Sequence, residues 1–209
     1  MIKMYRRSLA TVILFVFISL LPISCGILCN DPCGCGPRFE VKDFNILSFE
    51  TLSLTKPGQR VNPTTPLPYD QIFKVFRILE TQTLTALETN SSNGIPGVAF
   101  ACSPVSPKSA QQMTGIQLLN SKELTLGDGT VLKVGQDISE FFEINYFFEE
   151  KTLSFESFFK EPITIYQEDL FKLGWKQDPK KEIILEFSIR IFMTGGKEFN
   201  LNNEILSIR

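Results

Sequence analysis

The stretch 183-IILEFSIRIFM-193 decides the fold that this chain is predicted to adopt. Apolar side chains occupy every second position from Ile183 to Met193, while Glu186, Ser188 and Arg190 stand between them. Because successive side chains of a strand point to opposite faces of a sheet, this alternation predicts one long strand with a buried face and a polar face. It is the clearest strand signal in the sequence.

Shorter strand-like runs, separated by turn signals, surround this stretch. Gly195-Gly196 predicts a turn, after which Phe199 and Leu201 begin a return strand. The other predicted strands cover residues 39–49, 72–87, 97–102 and 114–119, and a hairpin joins 124–126 to 131–134. About eight or nine short strands of this kind predict an all-β domain, an immunoglobulin-like β-sandwich over residues 38–209. A β-barrel is the alternative arrangement.

The run 72–87 carries signals for both a helix and a strand. Charged residues recur at every third position from Lys74 to Glu80, which favours a helix. Threonines then alternate from Thr81 to Thr85, which favours a strand. Because β-branched side chains lose freedom in a helix and pack well on a pleated sheet, we predict a strand.

Two further local structures are predicted between the strands. The Gly-Asp-Gly sequence around Asp128 is typical of a tight hairpin turn, since a single acidic residue is too few for a calcium loop. Residues 153–159 predict a short helix with Thr152 as its N-cap and Pro162 beyond its end. The aromatic residues of the run 137–148 are expected in the core or over a sheet edge.

The N-terminal stretch 1-MIKMYRRSLATVILFVFISLLPISC-25 is typical of an export signal. Lys3, Arg6 and Arg7 precede an apolar core from Leu9 to Leu21, and no acidic residue accompanies them. The core is shorter than the roughly 20 residues that a membrane-spanning helix needs. A cationic start, a short apolar core and a small residue before a cleavage point form the secretory pattern.

The end of this signal, Leu21-Pro22-Ile23-Ser24-Cys25, resembles the lipobox of bacterial lipoproteins. The resemblance covers residues 1–25 alone, and Pro22 stands where that family usually has leucine. It implies cleavage after Ser24 and acylation of Cys25, with palmitate-type chains that hold the protein in the cell envelope, at the outer membrane. Residues 1–24 are then the signal peptide, and the Pro/Gly-rich residues 25–37 a lipidated tether.

Other interpretations of the N-terminus remain open. Residues 9–28 could act as an uncleaved anchor, although Pro22, Ser24 and Gly26 weaken the end of that segment. An ordinary secretory cut without lipid is a second alternative. The Arg6-Arg7 pair suggests twin-arginine export, but paired cations are common in plain signals.

The chain has five cysteines, an odd number for an exported protein. Lipid on Cys25 leaves four residues that can form two disulfides in three connectivities: Cys29, Cys33, Cys35 and Cys102. Cys33 and Cys35 have one residue between them and pair poorly with each other. We therefore favour one of them bonded to Cys102 and the other to Cys29. A structural zinc site usually has two pairs of closely spaced cysteines, and Cys102 has no cysteine near it in the sequence. No metal or cofactor is predicted.

Charge and composition exclude several classes of function. The chain has 21 Lys and Arg against 23 Asp and Glu. Loss of three cations with the signal leaves 18 against 23, a net charge of −5, which opposes nucleic-acid binding. The chain has no histidine, so histidine-based triads and metal sites are absent and the usual general base near neutral pH is missing. No Gly-rich phosphate loop follows a strand.

These observations predict a non-enzymatic lipoprotein whose β-sandwich binds, adheres or serves as a scaffold, with a protein or glycan as ligand. Trp175, in an expected loop, could form a sugar-stacking platform with Tyr146 and Tyr166, but packing at one end of the sandwich is the preferred interpretation. A carbohydrate-binding accessory module is one alternative function. A carboxylate-based hydrolase is the other. The adjacent acids Glu149-Glu150 are expected to be solvated.

Overall fold

The computed structural model describes residues 43–84 and 106–209, which belong to one compact unit. The predictions about the signal peptide, about Cys25, about the strand 97–102 and about the disulfide-forming residues lie outside the described residues. Those disulfide candidates are Cys29, Cys33, Cys35 and Cys102.

Strands dominate the part of the chain that the structure describes. They are β1 (Phe44–Thr55), β2 (Ile72–Thr83), β3 (Met113–Asn120), β4 (Leu124–Thr125), β5 (Val131–Leu132), β6 (Phe142–Tyr146), β7 (Leu170–Trp175), β8 (Ile183–Met193) and β9 (Glu198–Ile208). The helical elements are α1 (Phe155–Phe158) and two 3₁₀ turns, at Ser139–Phe141 and Thr194–Gly196.

Two antiparallel sheets form the fold. One has the strand order β1-β2-β7-β6 and the other the order β3-β8-β9, while β4 and β5 form a separate hairpin. Without that hairpin, the seven strands taken in chain order as A to G give the orders A-B-E-D and C-F-G. This is the arrangement of the immunoglobulin constant-type sandwich. The predicted fold is therefore confirmed. Because both sheets are open, the alternative prediction of a β-barrel is wrong.

The core lies between the two sheets. The six alternating apolar residues of β8 that the sequence assigned to one face are all buried, from Ile183 to Met193. Aromatic rings join the sheets: the ring centre of Phe187 in β8 lies 5.5 Å from that of Phe142 in β6. At the opposite edge, Phe49 of β1 and Phe199 of β9 meet edge to face at 5.0 Å. The strand and turn predicted around 183–201 are thus confirmed.

The ambiguous run 72–87 is a strand from Ile72 to Thr83, as predicted, and its residues 85–87 lie outside the described residues. β2 pairs with β1 along its whole length and with β7 at Lys74–Arg77. The three charged residues that suggested a helical period have different environments. Arg77 forms an exposed ion pair with Glu50, while Lys74 is buried in the sandwich. Neighbouring strands therefore fixed the structure that local spacing left undecided.

A buried ion pair connects the two sheets. The Lys74 Nζ in β2 lies 2.6 Å from a carboxylate oxygen of Glu204 in β9, and their side chains are only 6% and 12% exposed. The Thr51 hydroxyl in β1 donates a hydrogen bond to the same carboxylate oxygen at 2.6 Å. The Glu204 carboxylate is thus bonded by an ammonium and a hydroxyl group, which offset the cost of burying its charge.

The short helix is present, but its predicted cap is wrong. The Ser154 hydroxyl accepts a hydrogen bond from the Ser157 N–H at 3.2 Å and is the N-cap of α1. Thr152 instead donates its hydroxyl to the Glu143 carboxylate. Because Leu153 exchanges backbone hydrogen bonds with Ile144, the chain beside Thr152 is still strand-like and the helix begins later than the sequence suggested.

The predicted hairpin turn is confirmed. Asp128 accepts a hydrogen bond from the Thr130 N–H at 2.9 Å, and this bond lowers the pKa of Asp128. Gly129 follows with a φ of 91°, a conformation that favours glycine. The paired strands β4 and β5 are shorter than expected, two residues each.

Candidate functional site

Trp175 belongs to the core. It is the last residue of β7 and is 4% exposed, so its expected position in a loop is wrong. The ring of Phe141 stacks on the indole at 5.4 Å and 9°, and Phe142 meets it edge to face at 5.2 Å. The indole N–H is buried and finds no hydrogen-bond partner within the described part of the chain. Trp175 therefore packs inside the sandwich, which was the preferred interpretation of this residue from the sequence.

The other two aromatic candidates have surroundings of their own. The Tyr146 ring lies 5.8 Å from that of Phe158 and 5.0 Å from that of Phe171, and burial raises the pKa of its hydroxyl. Asp169 accepts a hydrogen bond from the Tyr166 N–H at 2.8 Å. In the β6–β7 ladder Tyr146 pairs with Phe171, four residues from Trp175, or roughly 13 Å along the strand. The three candidate residues thus do not form one stacking platform.

A second apolar cluster lies on the other face of the four-stranded sheet. Leu54, Val75 and Phe147 are buried there, and Phe73 packs against them, separately from the main core. Alternation along β7 explains this arrangement, because Phe171, Leu173 and Trp175 face the core while the residues between them face outward. The outward positions are Lys172 and Gly174.

Lys172 is a buried lysine that fastens a turn. Its Nζ donates to the backbone carbonyl of Phe147 at 3.3 Å and also to that of Glu149. The ammonium group lies 5.2 Å from the ring centre of Phe73, a cation–π distance. Burial and the nearby charge of Lys56 lower the pKa of Lys172, and Glu149 opposes this shift. Lys172 thereby holds the turn that begins at Phe147.

The turn presents Phe148 to solvent. Phe148 is 86% exposed, the largest exposure among the described large apolar residues. Its ring meets that of Phe147 edge to face at 5.4 Å. Backbone hydrogen bonds from the Phe147 N–H to Leu170 and from the Glu149 N–H to Tyr146 fix the chain on both sides. Single exposed apolar residues are common on protein surfaces, but Phe148 lies in a turn that hydrogen bonds hold in place.

Phe148 and this turn border a cleft of about 510 Å³, which we name the outer cleft. Its aromatic lining includes Phe73, Phe147 and Phe148. Gly174 lies at the base, where a Cβ would stand 3.1 Å from two ring carbons of Phe73. The absence of a side chain at Gly174 lets the Phe73 ring lie close against the sheet.

The charged lining of the outer cleft contains both signs. The acids are Asp70, Glu143, Glu149 and Glu150, and the lysines are Lys56, Lys172 and Lys176. Four of these groups have internal partners: Thr152 donates to Glu143, Gln71 donates to Asp70, Lys176 donates to the Glu140 carbonyl, and Lys172 donates to carbonyls of the turn. The exposed charged residues of the lining are Asp70, Glu149, Glu150, Lys56 and Lys176. The rim therefore presents more carboxylates than ammonium groups.

The solvation predicted for Glu149-Glu150, after the aromatic run that ends at Phe148, is confirmed by their exposure. The cleft was not predictable from one segment, because its lining comes from β2, β6, β7, the loop after β1 and the turn after β6. The sequence does contain one indication of an exposed aromatic residue: Phe148, at the end of the aromatic run, directly precedes the two acids Glu149 and Glu150.

Two other features are absent from residues 43–84 and 106–209. No group of three or more Asp and Glu residues there is arranged to hold a metal ion. No helix in the same ranges is long and apolar enough to cross a membrane.

Comparison with known proteins gives only remote likenesses. No protein-family model matches the chain, and no curated protein matches it. Among solved structures, the C-terminal domain of the Streptococcus agalactiae antigen I/II polypeptide BspA is 13% identical, with a TM-score of 0.28 over 78% of this chain and 49% of that one. The C-terminal domain of the Streptococcus pyogenes antigen I/II-family protein AspA is 14% identical, with a TM-score of 0.26 over 78% and 46%. The chain thus spans about half the length of these structures.

Proposed function

We propose that the chain is a lipoprotein of the bacterial cell envelope, anchored through acylated Cys25, whose β-sandwich binds a partner at the outer cleft. The signal and lipobox-like sequence support the anchor. In this proposal two disulfides among Cys29, Cys33, Cys35 and Cys102 secure the region next to the anchor. The role is binding rather than catalysis.

The braced and exposed Phe148 is the observation that carries the binding proposal. Burying a phenylalanine side chain is worth about 1.5–3 kcal/mol relative to leaving it in water. A turn that flexed freely could fold such a ring against the protein. Here Lys172 and the flanking backbone bonds hold the turn that carries the ring, and the ring itself packs on Phe147 at the edge of a cleft. Anchors of protein interfaces have this character, an aromatic side chain already fixed in its bound position.

A carboxylate-based hydrolase is the second candidate, because the outer cleft is a concave site with more than one acid. Glu143 lines it together with Glu149 and Glu150. Turnover of a panel of glycosides by the purified chain, lost in Glu143→Gln, would favour this function over binding alone. The carbohydrate-module alternative has weaker support, since the indole of Trp175 is in the core.

The anchor is tested at the N-terminus. Mass spectrometry of the mature protein should find an acylated Cys25, and a Cys25→Ser variant should accumulate as precursor or leave the membrane. An unmodified N-terminus at another residue would refute lipidation and leave an odd thiol to explain.

The binding role is tested by placing a photo-crosslinking phenylalanine analogue at position 148 in cells that carry the full chain. Val134, 66% exposed on the hairpin side, is the matched control position. We expect an adduct of defined mass from position 148 and none from position 134. The captured partner, once purified, should lose binding to a Phe148→Ala chain. No adduct at position 148, or equal labelling at both positions, would refute the proposal.

A further inference from the structure

We infer that the outer cleft takes a cationic peptide segment, in which an arginine or lysine side chain lies next to an apolar one. This inference rests on the proposed binding function and specifies the chemistry of the partner. It follows from three features of the cleft: its aromatic rings, the excess of carboxylates at its rim, and the position of Phe148.

The aromatic rings offer faces for a cation. Phe73 already holds one from within the protein, since the Lys172 ammonium lies 5.2 Å from its ring centre. The outward ring of Phe148 has no such internal cation among the described contacts and is open to solvent. Arginine and lysine side chains are attracted to aromatic faces at this distance, and arginine also stacks on them.

The carboxylates at the rim complement the same ligand. Glu149 and Glu150 directly follow Phe148, and Asp70 lines the cleft as well. Two exposed lysines of the lining, Lys56 and Lys176, stand against these three exposed acids. A cationic ligand would therefore meet a complementary rim, whereas an anionic lipid surface would be repelled by it.

The position of Phe148 favours a peptide over a small organic cation. A cleft of about 510 Å³ is large enough for a small ligand. Such a ligand would sit inside the cleft and leave most of the 86% exposed ring of Phe148 in water. A peptide segment can place its cationic side chain in the cleft and cover Phe148 with an apolar neighbour, so that both features are used.

The inference is tested with three capped, fluorescently labelled octapeptides and the full chain in detergent. The first alternates arginine with leucine, the second alternates glutamate with leucine, and the third alternates arginine with serine. We expect the arginine–leucine peptide to bind roughly tenfold more tightly than either of the others in fluorescence anisotropy titrations. Its affinity should fall as salt is raised through the physiological range, because the rim charges are exposed.

Variants of the chain assign this binding to the cleft. Phe148→Ala should weaken the arginine–leucine peptide by about tenfold, and Glu149→Gln with Glu150→Gln by roughly threefold at low salt. Val134→Ala is the control for an exposed apolar residue. Glu123→Gln with Glu182→Gln is the control for two exposed acids outside the cleft. Neither control should change the affinity by a factor of two.

The outcomes separate this inference from the proposed function. Equal or preferred binding of the glutamate peptide, or binding that is indifferent to Phe148→Ala, would overturn the cationic assignment. No binding of any peptide would also overturn it. In each of these cases, a specific adduct at position 148 in cells would still support the proposed binding function. The partner would then have a chemistry other than that of a cationic peptide. Absence of that adduct would refute the binding function itself.

Discussion

The ion pair between Lys74 and Glu204 gives the sharpest test of how the two sheets are held together. Replacing Lys74 by methionine keeps an unbranched apolar side chain but removes the ammonium group. Glu204 would then retain a buried carboxylate with only the Thr51 hydroxyl as a partner. A carboxylate left in that state must either remain charged without compensation or take up a proton, and both cost free energy.

The expected magnitude follows from the burial of the pair. The two side chains are 6% and 12% exposed and their charged atoms are 2.6 Å apart, so the loss should be that of a buried pair, about 3–5 kcal/mol. That is a large part of the roughly 5–15 kcal/mol that stabilises a typical domain. With a urea m-value of about 2 kcal/mol/M, the unfolding midpoint should fall by at least about 1.5 M.

The assay is urea unfolding of the full chain in detergent, followed by the fluorescence of the single tryptophan. Trp175 is a suitable reporter because it is 4% exposed in the folded protein. The matched control is Arg77→Met, which breaks the Arg77–Glu50 pair with the same 2.6 Å separation but side chains 46% and 27% exposed. An exposed pair of this kind is worth about 0–1 kcal/mol.

A double variant tests whether the unpaired charge causes the loss. Lys74→Met combined with Glu204→Leu removes both charges and should recover most of the stability that Lys74→Met loses, because no unpaired charge remains. Equal midpoint shifts for Lys74→Met and Arg77→Met would refute the reasoning from burial. A double variant no more stable than Lys74→Met would show that the pair's charges are not the cause of the loss.

Three further substitutions test other parts of the structure. Gly174→Ala brings a methyl group to 3.1 Å from the ring of Phe73; the free energy of unfolding should fall by about 1 kcal/mol, and peptide binding in the titrations above should weaken. Unchanged affinity would contradict that geometry. Asp169→Asn removes a carboxyl group whose pKa is raised by burial. Because the folded protein loses stability as the pH rises through a raised acid pKa, urea titrations should find the variant more stable than the parent chain toward neutral pH but not in strong acid. Asn120→Leu removes an amide that donates to three backbone carbonyls. It should cost about 2–4 kcal/mol and speed hydrogen exchange in the β4–β5 hairpin, whereas the exposed control Asn202→Leu should not.

The fold was predictable where hydrophobic alternation was long and uninterrupted. β8 is such a case, because a strand with one buried face must repeat apolar residues with a period of two. β7 was missed although Phe171, Leu173 and Trp175 alternate with Lys172 and Gly174, because the strand has only six residues and its alternation is short. The burial of Lys172 and Gly174 on the outer face of the sheet depends on the neighbouring strands and the turn after β6.

The candidate site was less predictable than the fold. Trp175, Tyr146 and Tyr166 were grouped by residue type, and the strand register separates Trp175 from Tyr146. The outer cleft joins Phe73 and Lys172, which are 99 positions apart and meet across the β2–β7 ladder. Such contacts depend on which strands become neighbours, and a single sequence carries no local trace of them.

The sequence by itself determined the sandwich class and the turns at Asp128 and Gly195-Gly196, because periodicity and turn chemistry act within a few residues of the chain. The tertiary structure alone decided the burial of Trp175, the pairing of Lys74 with Glu204, and the hydrogen bonds from Lys172 to the turn that carries Phe148. Each of these depends on strand order and register across the sheets, where the energy of a side chain is set by neighbours that are distant in the chain.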